Sequence, residues 1–150
     1  MRLAIPWRCS AAVLLWALAG LSPALALDNP DTPDLVAAFE QRMKPLEAHF
    51  GEQTTTVATN EAGQAYAKAL DAELNRSYLQ LLSKLGEGDA KKLRASQREW
   101  LQHAKAENDF IDSNWSQANF GTSAVFSRWT YRNALTKQRV TSLLYYLQNY

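Results

Sequence analysis

The first apolar stretch of the chain has no polar face. From Ala11 to Leu21 it is apolar on every side, with Arg2 and Arg8 before it and Pro23 after it. Ala24-Leu25-Ala26 then forms an Ala-x-Ala cleavage site. A basic start, a short apolar run and a small-residue site make a secretory signal peptide, predicted over residues 1–26. The run is shorter than the roughly 20 residues that a membrane span needs. Cys9 follows Pro-Trp-Arg, which is not the small-residue context of a lipid-attached cysteine.

Beyond the leader, the apolar positions take a helical period. Thr32-Pro33-Asp34 reads as a helix start, with Thr32 as N-cap and Pro33 at the first helical position. Leu35, Phe39 and Met43 follow on one face. Pro45 is expected to end or kink this helix, and Gly51 closes the segment. The polar, Thr-rich stretch Gln53 to Thr59 reads as a linker. A second helix starts near Asn60, with Ala65, Ala69, Leu74, Tyr78, Leu81, Leu82 and Leu85 on its apolar side. Glu87-Gly88-Asp89 reads as a turn with Asp89 as the next N-cap. A third helix runs from Ala90 to about Asp112, with Leu93, Trp100, Leu101, Ala104 and Phe110 or Ile111 inward. Two helices joined so briefly should pack antiparallel as a hairpin. Asn114 to Ser123 breaks the period and reads as an ordered loop. A last helix runs from about Ala124 to Gln148 on Val125, Trp129, Thr136, Val140, Leu143, Leu144 and Leu147. The predicted fold is all-α: a small antiparallel bundle of a helical hairpin plus a C-terminal helix, with an additional N-terminal helix. The expected divisions are the leader, an acidic helix and linker over 27–59, and the main helical domain over 60–150.

Charge alters this picture modestly. The full chain has 16 Lys and Arg against 15 Asp and Glu. Losing Arg2 and Arg8 with the leader leaves 14 bases against 15 acids. Residues 28–61 carry seven acids and two bases, whereas 62–150 carry eight acids and twelve bases. Such an asymmetry steers a charged partner or simply solvates a surface. Cys9, the single cysteine, departs with the leader, so stability must come from helix packing rather than disulfides.

Candidate chemistry is sparse. His49 and His103 lie on different helices without the spacing of a metal motif, so no metal or cofactor is expected. No Gly-x-Ser-x-Gly and no phosphate-cradling glycine loop occurs. Glu73, Glu99 and Glu107 read as solvent-facing helix charges rather than catalytic carboxylates. Lys91, Lys92, Arg94 and Arg98 read as a solvated face, and nucleic acid is not an expected partner of an exported, near-neutral chain. No catalytic residue is therefore assigned, and an enzyme is not expected. Trp100 and Trp129 sit on apolar stripes and read as core. Trp115 and Phe120 lie in the loop, where they either anchor an interface or hold the loop down.

Several stretches together carry a family resemblance. They are Ala72-Glu73-Leu74-Asn75-Arg76-Ser77-Tyr78 with Leu81-Leu82, then Leu93-Arg94-Ala95-Ser96-Gln97-Arg98-Glu99-Trp100-Leu101, then Gly121-Thr122-Ser123 and Leu135-Thr136-Lys137-Gln138-Arg139. In order and spacing they resemble the LprI-type lysozyme inhibitors over about residues 65–145. The chain departs from that pattern after Trp100. Ala104, Lys105 and Asn108 stand where the family usually has an Arg-Asp pair and a cysteine, and Tyr131 or a neighbour replaces the second cysteine. Both halves of the disulfide that the resemblance implies are therefore absent.

The resemblance implies a non-enzymatic protein that inhibits a lysozyme by covering its cleft. With the leader, it implies a periplasmic or secreted bacterial protein with no membrane span after cleavage. The alternative is a structural, assembly or immunity-type partner of another envelope protein. The expected partner contact is the loop with Trp115, Phe120, Gly121 and Ser123. Leu74, Asn75, Tyr78, Gln97, Trp100, Thr136 and Arg139 are expected to serve the scaffold. Within that set, Asn75 and Gln97 are expected to hydrogen-bond across the bundle, and Arg139 to brace a helix end or a carboxylate.

Overall fold

A computed structural model describes residues 33–150; the expected signal peptide at 1–26, and Thr32, lie outside the described residues. Five helices follow in order: α1 (Leu35–Gly51), α2 (Thr56–Lys84), α3 (Glu87–Asn114), the single-turn α4 (Gln117–Phe120) and α5 (Ser123–Leu147). No strand occurs among the described residues, so the all-α expectation holds. No helix among them is long and apolar enough to cross a membrane.

The helix starts obey capping chemistry, often a few residues from where the sequence pointed. Asp34 caps α1, its side chain accepting from the Ala37 amide at 2.8 Å. The helix runs through Pro45 to Gly51, leaving the Gln41 carbonyl without the amide donor that proline lacks. Thr55 caps α2 by accepting from the Ala58 amide, so Thr56 to Thr59 are its first turn rather than linker. Gly86, not Asp89, is the N-cap of α3. Glu87 and Asp89 stand instead in its first turn, where acids favour the positive end of the helix dipole.

The closest pair is α2 with α5, and a glycine permits it. Gly63 lets the two backbones approach until the root of the Trp129 side chain lies against its Cα. Trp129 Nε1 donates to Asn60 Oδ1 at 3.0 Å, and Asn133 Nδ2 donates to the Gly63 carbonyl at 3.4 Å. Further along, Leu70, Leu74 and Leu81 share one apolar cluster with Val140, Leu143, Leu144 and Leu147. The two helices therefore run parallel, with α3 as the return.

Helix α1 lies antiparallel across this pair. It contributes Phe39 and Met43 to the same cluster, and Phe50 stacks on Phe126 with ring centroids 4.9 Å apart. Lys137 Nζ reaches Glu47 at 2.8 Å. Helix α3 leans antiparallel on α5 and adds Leu93 and Trp100 to the core. The two-residue connection Leu85–Gly86 does turn the chain back after α2. The expected hairpin is nevertheless not the main interface of α2, which belongs to α5. Long side chains, Tyr78 and Arg94 among them, line an open groove between α2 and α3.

The apolar phase of α2 also differs from the sequence reading. Ala65 is exposed, and Ala62, Tyr66 and Leu70 are buried in its place. On α3, Leu101 and Phe110 face solvent, while Ile111 is buried. Alanine and aromatic residues suit either face of a helix, so they report its phase weakly.

Candidate functional site: an aromatic cap on a braced turn

The expected loop is a compact turn built on α4. Ser116 caps α4 by accepting from the Asn119 amide at 3.3 Å. Gly121 then takes φ +58°, the left-handed region where a side chain is strained. Ser123 Oγ donates to the Phe120 carbonyl at 2.7 Å and ties the start of α5 to the turn. The sequence pointed to Gly121 and Ser123 as contact residues; their observed bonds shape the turn that presents the aromatics.

Three rings meet on this turn. The half-buried Trp115 ring packs on Phe120 at 4.6 Å between centroids and on Tyr131 of α5 at 5.5 Å. Phe120 and Tyr131 remain 42% and 52% exposed, so the cluster presents an apolar face to solvent rather than sealing itself. Trp115 holds the turn down, while Phe120 faces out. Tyr131 was not singled out as a contact residue. On α5 its helical position reads as one exposed tyrosine among several, and its proximity to Trp115 is set by the turn.

A polar chain braces the cap from behind. Arg128 Nε donates to the Trp115 carbonyl at 2.9 Å, closing the C-terminal end of α3. Asp112 pairs with both Arg128 and Arg132. The Arg132 guanidinium lies 5.6 Å from the Trp129 ring centroid, and Trp129 reaches Asn60 on α2. The cap is therefore connected to the close α2–α5 contact through fixed side chains.

The other motif residues divide between core and surface. Leu74 is buried, Tyr78 half-buried and Asn75 exposed on the α2–α3 groove. Gln97 does not bond Asn75. Its Oε1 accepts from Arg139 Nε at 3.0 Å, because α3 leans towards α5 rather than α2. Arg139 also donates to Ser96 Oγ at 3.2 Å, and its guanidinium lies 5.9 Å from the Trp100 ring centroid. It braces side chains of the neighbouring helix, not a helix end or a carboxylate. Thr136 Oγ1 donates to the Arg132 carbonyl one turn back. Asn108, at the place of a family cysteine, is half-buried with its Oδ1 lacking a partner among the described residues.

Glu73 overturns its sequence reading. It is 4% exposed, not a solvent-facing charge. Its carboxylate takes two bonds of 2.9 Å from Arg42 on α1 and one of 3.0 Å from Arg76 on its own helix. The bond to the carboxylate raises the Arg42 pKa above its ordinary value. Such a bidentate pair fixes the angle between two helices. The acid belongs to the scaffold.

The geometry defines the class first: a small all-α bundle that presents an aromatic cap on a braced turn. The chain belongs to the LprI lysozyme-inhibitor family, whose family model matches residues 48–143. The match begins upstream of the resemblance seen from about residue 65, and takes in the end of α1 and the α1–α2 connection. No curated protein and no solved structure matches the chain.

Proposed function

We propose that this protein acts outside the cytoplasm of a bacterium as an inhibitor of lysozyme, and that the Trp115–Phe120–Tyr131 cap is its contact surface. The family match supports the partner class. The cap is the observation that carries the choice of surface. Aromatic anchors dominate interface energetics when their neighbours hold them in place. Here the turn, Arg128 and the tilted packing of the rings already restrict the cap, so little ordering remains to be done on binding. The acids of residues 28–61 add local attraction for a basic enzyme. Export follows from the leader pattern of residues 1–26. The reading needs no catalytic residue in this chain.

The test is lysozyme turnover of cell-wall substrate with and without the purified mature protein, at low and moderate salt. Dose-dependent inhibition is expected. Phe120→Ala and Trp115→Ala should each weaken it about 10- to 30-fold, equivalent to about 1.4–2 kcal/mol of an anchor residue. Helix content by circular dichroism should stay unchanged for Phe120→Ala, whose side chain faces out. Undiminished inhibition by both variants would remove the cap from the interface. No inhibition of several lysozyme types by the parent protein would refute the inhibitor reading and favour an assembly or immunity role with another envelope protein.

A further inference from the structure

We propose a second binding site, separate from the cap: a notch between α3 and α5, at Arg139, that takes a carboxylate group. The notch has a volume of about 160 Å³ and is lined by Trp100, His103, Leu135, Gln138, Arg139 and Ser142.

Four cations among the described residues are partly buried: Arg128, Arg132, Lys137 and Arg139. Arg128 and Arg132 share Asp112, and Lys137 has Glu47. Arg139 has no carboxylate within ion-pair distance among the described residues. Burial accordingly pulls the Arg139 pKa below its ordinary value. Among the described residues, no Arg139 nitrogen is both buried and unpartnered, so its unused donors open to solvent, where an anion can replace water.

The guanidinium is also aimed. Bonds to Gln97 and Ser96 and the nearby face of Trp100 hold it on three sides. Those bonds use two of its five N–H donors, and the rest have no acceptor among the described residues. The side chains of Gln138 and His103 make no hydrogen bond among the described residues either. A planar fork with free donors matches a carboxylate. Trp100 and Leu135 offer apolar wall to the carbon that bears it. One guanidinium balances one negative charge, which favours a monocarboxylate over a phosphate dianion. The carboxylate comes either from a small organic acid or from an Asp, Glu or chain end of a protein.

The experiment follows the Trp100 indole N–H and Arg139 Nε–H by NMR in the mature protein. One arm titrates sodium acetate, a second sodium chloride at matched ionic strength, and a third the acetylated, amidated tripeptide Gly-Glu-Gly. Saturable shifts with acetate, beyond those with chloride, are expected. Gln138→Glu places a carboxylate in the notch from an exposed position. It should raise the melting temperature and shift the acetate midpoint upward at least tenfold. Arg139→Gln should abolish the response. Saturation at clearly lower tripeptide than acetate would assign the carboxylate to a protein, and equal midpoints to a free acid. Equal shifts with chloride, or an unchanged acetate response in Gln138→Glu, would overturn the proposal.

Discussion

Gly63→Ala isolates the contact on which the bundle closes. In most helix interiors this exchange stabilises by about 1 kcal/mol, since glycine loses the most backbone entropy on folding. Here a Cβ on residue 63 would stand 2.6 Å from Trp129 Cδ1 and 2.9 Å from Trp129 Cβ, and nearer still to Cγ. These atoms lie at the stiff root of the side chain, so the ring cannot simply swing aside. Overpacking of this kind costs about 1–3 kcal/mol, and the stiffness argues for the upper end. Displacing Trp129 also weakens its bond to Asn60, for about a further 0.5 kcal/mol at an exposed site. After the propensity gain, a net loss of about 2 kcal/mol is expected. At about 4 °C per kcal/mol for a chain of this size, the melting temperature should fall by about 8 °C. Gly88→Ala is the internal control. Nothing lies within 4 Å of its Cβ position on α3, so it should stabilise by about 0.5–1 kcal/mol. The assay is urea unfolding followed by circular dichroism, in both single variants and in Trp129→Ala with and without Gly63→Ala. In the Trp129→Ala background the two ring contacts are gone and only the 2.9 Å approach to the residue 129 Cβ remains, so the loss caused by Gly63→Ala should shrink by at least half. A Gly63→Ala protein as stable as the parent, or the same loss in both backgrounds, would refute the close-approach account.

Glu73→Gln removes the charge that Arg42 and Arg76 share. Both arginine side chains are about half exposed, at 44% and 54%, so water covers part of the loss and about 2 kcal/mol is expected by urea midpoint. Arg76→Ala alone should cost under about 0.5 kcal/mol, since Arg42 keeps both of its bonds. The Tyr66 hydroxyl is buried without a hydrogen-bond partner among the described residues. Burial first, and then the nearby Glu47 carboxylate, raise its pKa above the ordinary value. The unfolded chain therefore ionises this group first, so the stability tied to its protonated form is lost as pH rises above about 10. Tyr66→Phe should match or exceed the parent at pH 7 and flatten the decline in melting temperature between about pH 9 and 11.5.

What the sequence determined by itself is local. Turns of helix repeat over three to four residues, so the apolar stripes of α1 and α5 were legible from Leu35, Phe39, Met43, Val140, Leu143 and Leu147. The break at Asn114–Ser123 was legible too, as were its aromatics. The motifs sufficed to indicate the family that the match over 48–143 shows. Tertiary structure alone decided which helix faces which. Gly63 carries no signal in the apolar pattern of α2, and becomes its closest contact because Trp129, on a helix far along the chain, fits over it. Glu73 reads as one more surface carboxylate until Arg42, 31 residues away, folds back onto it. Trp129 and Asn60 are separated by 69 residues when they hydrogen-bond. Arg139 has no carboxylate beside it because α3 presents Gln97, Ser96 and Trp100 there. Periodicity reports the face a residue occupies on its own helix. The partner across that face depends on how helices of unequal bulk pack, and the missing side chain at Gly63 lets α2 close on α5 rather than on its neighbour in the chain.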